Sequence, residues 1–159
     1  MMQEVFFQED LILPEITAYS SNEVIRQAGD VLCRAGFVSE EYVDSVLERE
    51  DSFPTGLQLS GLALAIPHAT PAGNVAKDGI AVGRLTSPVY FQSMENPEEE
   101  VAAEYVFMLA LKDSERHLEV LKQMFASLQK PSVIAALKAA RTKAEIMSVV
   151  ERNFITVQG

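Results

Sequence analysis

Two histidines and one arginine have the residue types that a phosphoryl-transfer site requires. His68 and His117 are the two histidines of the 159-residue chain. Neutral imidazole is nucleophilic near pH 7, so one ring could attack phosphorus. The other ring could spread the charge of the transferred group, together with the guanidinium of Arg49, which can bind phosphate oxygens as a fork. The three residues therefore predict a phosphohistidine site.

The sequence around His68 predicts a ring that emerges from the end of a strand. Residues 62–66 form an apolar run typical of a fully buried strand, and Pro67 follows it directly. Proline fixes its own backbone angle and cannot continue the hydrogen-bond ladder. The next side chain, His68, is therefore expected to leave the edge of the sheet with little freedom, where binding groups concentrate.

His117 and Arg49 are both predicted at helix ends. Ser114 is the predicted cap of a helix, so His117 projects from its first turn, where free N–H groups favour an anion and disfavour imidazolium. Arg49 lies in the last turn of a helix capped by Ser39, a favourable place for a cation. Taken alone, a histidine after a strand is more often structural, and an arginine at a helix end is usually just solvated. Glu48 and Glu50, which flank Arg49, are expected to be solvated helix charges.

The elements that would position these residues run in the order helices, strands, helices. The predicted fold class is α/β, a mixed β-sheet flanked by helices on both faces, in a single domain spanning residues 1–159. Gly36 is expected to end the first helix, and Thr142 and Glu145 form a capping box for the last one. The predicted strands cover residues 5–7, 62–66, 80–85, 89–91 and 104–111, and the segment around Pro14 is expected to be irregular. The predicted helices start near residues 21, 39, 114, 132 and 142, and Leu118, Leu121, Phe125 and Leu128 are expected to face the core.

Composition excludes several classes of function. The formal charge of −10 disfavours nucleic acid and anionic membrane surfaces as partners, and no run is long enough to span a bilayer. No cofactor is expected. A metal site is disfavoured because catalytic zinc usually needs three protein ligands, and the sequence contains no HExxH or CxxC spacing. The single cysteine, Cys33, excludes an internal disulfide and fits a cytoplasmic location. It is read as a small buried apolar residue of the first helix.

Two segments of the chain resemble a known family. The first runs from Arg49-Glu50 through Phe53-Pro54-Thr55-Gly56 to Leu64-Ala65-Ile66-Pro67-His68, and the second is His117-Leu118-Glu119-Val120-Leu121. These segments resemble the enzyme IIA components of the fructose–mannitol superfamily of the bacterial sugar phosphotransferase system (type-2 EIIA). The segments 89–92 and 128–131 are similar to the galactitol-type subgroup, some members of which lack the second histidine.

The resemblance implies a role for each residue. His68 matches the histidine that is phosphorylated, as a tele-phosphohistidine, by the histidine phosphocarrier protein. His117 matches the second active-site histidine, and Arg49 matches the neighbouring arginine. The phosphoryl group would then pass to a cysteine of a separate IIB component, which works with a membrane IIC component. Cys33 does not match that cysteine, because the IIB residue lies in a glycine-rich loop.

Two further alternatives stay open at the level of sequence. Thr55 could hydrogen-bond the phosphate or could cap the Pro-Thr-Gly turn. A regulatory module, in which phosphorylation of the same histidine controls a protein partner, would share the fold and the chemistry but would lack a sugar. Regulators of this kind are often fused to other domains, whereas this chain is expected to stand alone, and that difference favours the transport role.

Overall fold

The computed structural model describes residues 3–4, 7–154 and 157–158. Within these residues the chain forms five α-helices, seven β-strands and a short 3-10 helix, Glu9–Leu11. The helices are α1 (Ser21–Arg34), α2 (Glu40–Ser52), α3 (Ser114–Leu128), α4 (Pro131–Ala139) and α5 (Lys143–Asn153). The strands are β1 (Gln3–Glu4), β2 (Ile12–Ile16), β3 (Gly56–Leu59), β4 (Leu62–Ala65), β5 (Gly79–Gln92), β6 (Glu100–Ala110) and β7 (Val157–Gln158).

Five of the strands form one mixed sheet in the order β2-β5-β6-β4-β3. The β4–β6 and β2–β5 pairs are parallel, whereas β5–β6 and β3–β4 are antiparallel. Strands β1 and β7 make a separate antiparallel pair. The parallel β4–β6 pair matters most for function, because the carboxyl ends of parallel strands lie at the same edge of a sheet.

Helices cover both faces of the sheet, as the sequence predicts. Alternation along β4 shows how the two faces differ: Ala63 and Ala65 pack toward α1 and α2, whereas Leu62 and Leu64 pack toward α3, α4 and α5. Successive side chains of a strand point to opposite faces, so β4 is buried on both sides. The predicted mixed α/β architecture is therefore confirmed.

Several strand predictions need correction. The segment around Pro14 is not irregular but belongs to β2, an edge strand, where a missing N–H can be tolerated. The hairpin strand β3 was not predicted. The strands expected at 80–85 and 89–91 are one strand, β5, whose register shifts between Arg84 and Val89. Of the expected strand at 5–7, Val5 and Phe6 lie outside the described residues, and Phe7 is a buried residue outside any strand.

The helix predictions are confirmed in number but not in every detail. Two caps lie earlier than predicted: Ser20 caps α1 instead of Ser21 or Asn22, and Asp113 caps α3 instead of Ser114. Both side chains accept from the backbone of the first turn. Gly36 follows α1 with a positive φ of 82°, and the capping box of Thr142 is present. In α3 the buried stripe includes His117, so Leu118 is turned outward and is 58% exposed.

Candidate active site

The sheet topology brings His68 and His117 to one edge of the sheet. His68 lies three residues after the end of β4, and α3 begins at Ser114, shortly after the end of the parallel strand β6. The two imidazole rings have their centroids 5.6 Å apart and are tilted by 31°. The C-terminal turn of α2 adds Arg49, and these side chains line a cavity of about 270 Å³.

The ring of His68 has a defined tautomer. Its Nδ1 lies 2.9 Å from the backbone carbonyl oxygen of Ile66. A carbonyl oxygen can only accept, so Nδ1 carries the hydrogen and Nε2 keeps its lone pair. Burial lowers the pKa of His68, and the charge of Arg49 lowers it further, although the hydrogen bond to Ile66 acts in the opposite direction. The ring is therefore neutral and nucleophilic at pH 7.

The backbone on either side of His68 is fixed by the neighbouring strand and by α2. The N–H of Leu109 in β6 donates to the carbonyl of Pro67 at 3.0 Å. The N–H of Ala69 donates to the hydroxyl of Tyr42 at 3.2 Å, and that hydroxyl donates to the carbonyl of Leu109 at 2.6 Å. The loop that carries His68 is thus bonded to β6 both directly and through Tyr42.

His117 is the more buried of the two rings, with 6% of its surface exposed. Burial lowers its pKa to about 4, and the charge of His68 contributes in the same direction, whereas a hydrogen bond to the backbone of Asp113 opposes the shift. Within the described part of the chain, its Nε2 is a buried atom without a hydrogen-bond partner. A buried polar atom of this kind is uncommon in proteins, and here it belongs to a residue that lines the cavity.

The guanidinium of Arg49 stacks on an exposed aromatic ring. Its carbon atom Cζ lies 5.0 Å from the centroid of Phe53, whose side chain is 62% exposed. A cation in this position is attracted by the face of the ring. Because Arg49 also lowers the pKa values of His68 and His117, its charge is felt at both imidazoles.

The contacts of Thr55 agree with one of its two expected roles, whereas Glu50 differs from its expected role. Thr55 does not line the cavity. Its hydroxyl donates to Oε1 of Glu50 at 2.8 Å, and its N–H donates to Oε2 at the same distance. That hydroxyl hydrogen is therefore already used within the protein, and of the two roles considered for Thr55 the local structural one agrees with these bonds. Glu50 is buried, so its prediction as a solvated helix charge is wrong.

Sequence reasoning missed Glu50 and Tyr42 as supports of the site. A usable signal existed for Tyr42, because a tyrosine at a core position of a helix usually needs a partner for its hydroxyl.

Cys33, which the sequence predicts to be buried, is only partly buried. In the residues that the structure describes, no group of three or more His, Cys, Asp or Glu side chains could hold a metal ion. The same residues include no helix with the length and apolar character that a membrane span requires.

The comparisons with known proteins agree on one family. The sequence profile described as "Phosphoenolpyruvate-dependent sugar phosphotransferase system, EIIA 2" matches residues 5–153. The galactitol-specific EIIA component of Escherichia coli K12 is 30% identical over 122 residues, which cover 77% of this chain and 80% of that protein. The mannitol-specific EIICBA component of Vibrio cholerae is 30% identical over 145 residues, which cover 90% of this chain and 21% of that protein.

Solved structures show the same fold. The crystal structure of IIA mannitol from Escherichia coli has a TM-score of 0.75 at 29% identity and covers 91% of this chain and 98% of its own. The complex of enzyme IIA and phosphorylated enzyme IIB for mannitol from the same organism has a TM-score of 0.76 at 28% identity and covers 91% and 96%. The nitrogen regulatory protein IIA-Ntr from Neisseria meningitidis, at 24% identity and a TM-score of 0.75, shares the fold.

Proposed function

Because the chain belongs to the EIIA 2 family of the phosphoenolpyruvate-dependent sugar phosphotransferase system, we propose that it carries a phosphoryl group on His68 between two other proteins of that system. The observation that supports this most directly is the hydrogen bond from Nδ1 of His68 to Ile66, which leaves the Nε2 lone pair for attack. The expected intermediate is therefore a phosphoryl group on Nε2, the tele position.

The transfer onto His68 is a displacement at phosphorus. The Nε2 lone pair forms the new N–P bond while the N–P bond of the donor phosphohistidine breaks and returns its electron pair to the donor imidazole. The ring of His68 keeps its Nδ1 hydrogen and gains positive charge, which the Ile66 carbonyl stabilises. In the onward step a cysteine thiolate of the acceptor forms an S–P bond, and the N–P bond electrons return to Nε2.

His117 and Arg49 serve the charge of the transferred group. Before transfer, the low pKa of His117 keeps that ring neutral. A phosphoryl group nearby places negative charge in the cavity, which favours the protonated form of a neighbouring histidine and raises its pKa. His117 then stabilises the group as imidazolium, while the guanidinium of Arg49 offers several donors to the phosphoryl oxygens.

The relatives suggest the partners and the substrate class. We assign the histidine phosphocarrier protein as donor and a cysteine of a separate IIB component, working with a membrane IIC component, as acceptor. An IIA–phosphorylated IIB complex exists for a structural relative, and the mannitol relatives are EIICBA components. Galactitol is the first sugar to test, since a galactitol-specific EIIA component is 30% identical. The proposal treats residues 1–159 as one domain that works in the cytoplasm.

The alternative of a purely regulatory module is not favoured. The likeness to the nitrogen regulatory protein, at 24% identity, extends to the fold alone. The named sugar-specific components are more similar in sequence.

Labelling with phosphoenolpyruvate, enzyme I and the phosphocarrier protein tests the proposed site. The chain should acquire an acid-labile, base-stable label, which His68→Ala should abolish. Arg49→Lys should still accept the label but more slowly, because a point charge replaces a fork. Cys33→Ala is the matched control and should label like the wild type. Full labelling of the His68→Ala variant, or loss of label in Cys33→Ala, would contradict the proposal.

A further inference from the structure

A buried carboxylate ties the end of α2 to the start of β3. Glu50 is the residue after Arg49, and only 8% of its surface is exposed. Both of its oxygens accept hydrogen bonds from Thr55, one from the backbone N–H and one from the side-chain hydroxyl, each at 2.8 Å. A carboxylate can only accept, so the hydroxyl hydrogen of Thr55 must point to Glu50 and an oxygen lone pair must point elsewhere.

The N–H of Ile66, the residue whose carbonyl accepts from His68, donates to that lone pair. The N–H of Ile66 lies 3.3 Å from Oγ1 of Thr55 and 3.3 Å from its carbonyl oxygen, so this donor is shared between two atoms of one residue. The carbonyl of Ile66 in turn accepts from Nδ1 of His68. The contacts form one continuous chain from Glu50 through Thr55 and Ile66 to the imidazole, which we name the Glu50–His68 relay.

The relay restrains the N–H of Ile66, whereas the other contacts of this loop restrain the backbone on its carboxyl side. On the carboxyl side, the ring of Pro67 restricts the backbone and its carbonyl accepts from Leu109. Without the hydroxyl of Thr55, the N–H of Ile66 would keep only its 3.3 Å bond to the backbone carbonyl of Thr55. The direction of the Ile66 carbonyl, and with it the tautomer of His68, would then be less restricted.

We propose that Glu50 and Thr55 are positioning residues, which act through Ile66 to hold His68 with hydrogen on Nδ1 and its Nε2 directed at the phosphoryl group. The proposal rests on the proposed function of His68. It also gives a reason for the adjacency of Arg49 and Glu50: the same helical turn presents a guanidinium to the cavity and anchors the segment that leads to the nucleophile. Neither Glu50 nor Thr55 lines the cavity that the phosphoryl group would occupy.

Nitrogen NMR of the His68 ring in the unphosphorylated protein tests the relay without any transfer reaction. Wild type should show one tautomer, with hydrogen on Nδ1. Thr55→Val removes the hydroxyl with little change in shape, and we expect a mixture of tautomers. The rate of phosphoryl acceptance should fall about tenfold, the scale of one lost hydrogen bond, with little change in KM for the phosphocarrier protein. Thr55→Ser keeps the hydroxyl and should restore both readouts.

Glu50→Gln and Asp51→Asn form a second, charge-matched pair. Each removes one acid from the same turn of α2, but Asp51 is exposed and Glu50 is the acceptor of both Thr55 bonds. Glu50→Gln should broaden the tautomer distribution and Asp51→Asn should not, a comparison that decides the matter even if Thr55→Val fails to fold. A single Nδ1–H tautomer in folded Thr55→Val or Glu50→Gln would overturn the relay. Acceptance at a residue other than His68, with the tautomer shift intact, would instead contradict the proposed function.

Discussion

The two halves of the active site are held by different physical means. The loop of residues 66–69 is held by directional hydrogen bonds to Thr55, Leu109 and Tyr42. The first turn of α3, which carries His117, is placed by burial, and Nε2 of that ring has no partner within the described residues. One half therefore fixes a direction of attack, whereas the other half keeps a ring uncharged.

The difference indicates how one residue type can serve two purposes. Hydrogen bonds hold a neutral imidazole in one orientation, as a nucleophile requires. Burial makes the charge of an imidazole conditional, because protonation becomes favourable only when a negative group enters the cavity. Variants that remove either kind of support should impair phosphoryl transfer or stability to different extents.

The largest effect is expected from His117→Ala. His68 should still be labelled, but onward transfer to the IIB partner should slow by about 10²-fold, the usual cost of losing one transition-state donor. Rapid-quench measurement of both half-reactions would separate acceptance from onward transfer. His117→Gln keeps a polar donor without a titratable charge and should recover only part of the rate. Wild-type rates in both half-reactions would remove His117 from the mechanism.

The pH dependence of stability should reflect the burial of His117. Its pKa is 6.5 in the ordinary state and about 4 in the fold, so protonation favours the unfolded chain. The stabilisation is complete above the unfolded pKa and is lost as the pH falls toward 4. Between pH 7 and pH 5 we expect a loss of about 2 kcal/mol in the free energy of unfolding from this residue.

Denaturant unfolding of wild type and His117→Gln at both pH values measures that loss. His68, whose pKa is also lowered, titrates in both proteins, so their difference isolates His117. Equal pH dependence in the two proteins would mean that His117 is not held neutral by its surroundings.

The register of α3 can be tested with two truncations. Val120 is buried and Leu118 is exposed, although the sequence pattern assigned Leu118 to the core. Val120→Ala should lower the free energy of unfolding by about 2 kcal/mol. Leu118→Ala removes more atoms but should change it by no more than about 0.5 kcal/mol. The reverse order would place the helix in the predicted register and turn His117 away from the cavity.

The smallest effect is expected from Phe53→Leu, which removes the ring beneath Arg49. A cation–π contact at an exposed site contributes about 0.5–1 kcal/mol, so phosphoryl acceptance should slow by roughly twofold to fivefold. Phe53→Tyr keeps the ring face and is the matched control. If both variants react like the wild type, the stacking does not orient the guanidinium for transfer.

The sequence was most informative where local chemistry decides the structure. A buried strand followed by Pro67 predicts where His68 emerges, and the capping box at Thr142 predicts the start of α5, which is confirmed. Arg49, His68 and His117 line one cavity, and the centroids of the two imidazole rings lie 5.6 Å apart. Their roles in transfer remain predictions.

What could not be predicted depends on contacts distant in sequence. Pro14 signals a break locally, yet β2 forms because the edge of β5 accepts it. Leu118 fits a helical apolar stripe, but the stripe is rotated so that His117 packs inward. Glu50 carries no sequence signal of burial, since its partner Thr55 becomes apparent only when the turn between α2 and β3 is in place.

The hydrogen bond from the N–H of Leu109 to the carbonyl of Pro67 makes the Leu109 amide sensitive to movement of the loop that carries His68. Leu109 is a wholly buried residue of β6, and its N–H donates outside its own strand, to the carbonyl next to His68. The N–H of Ala69 likewise depends on Tyr42. The loop cannot move away without releasing both amides to solvent, so their hydrogen–deuterium exchange measures its opening free energy separately from global unfolding. That quantity sets how often the phosphoryl acceptor becomes misaligned, and it can be followed amide by amide while partner proteins are added.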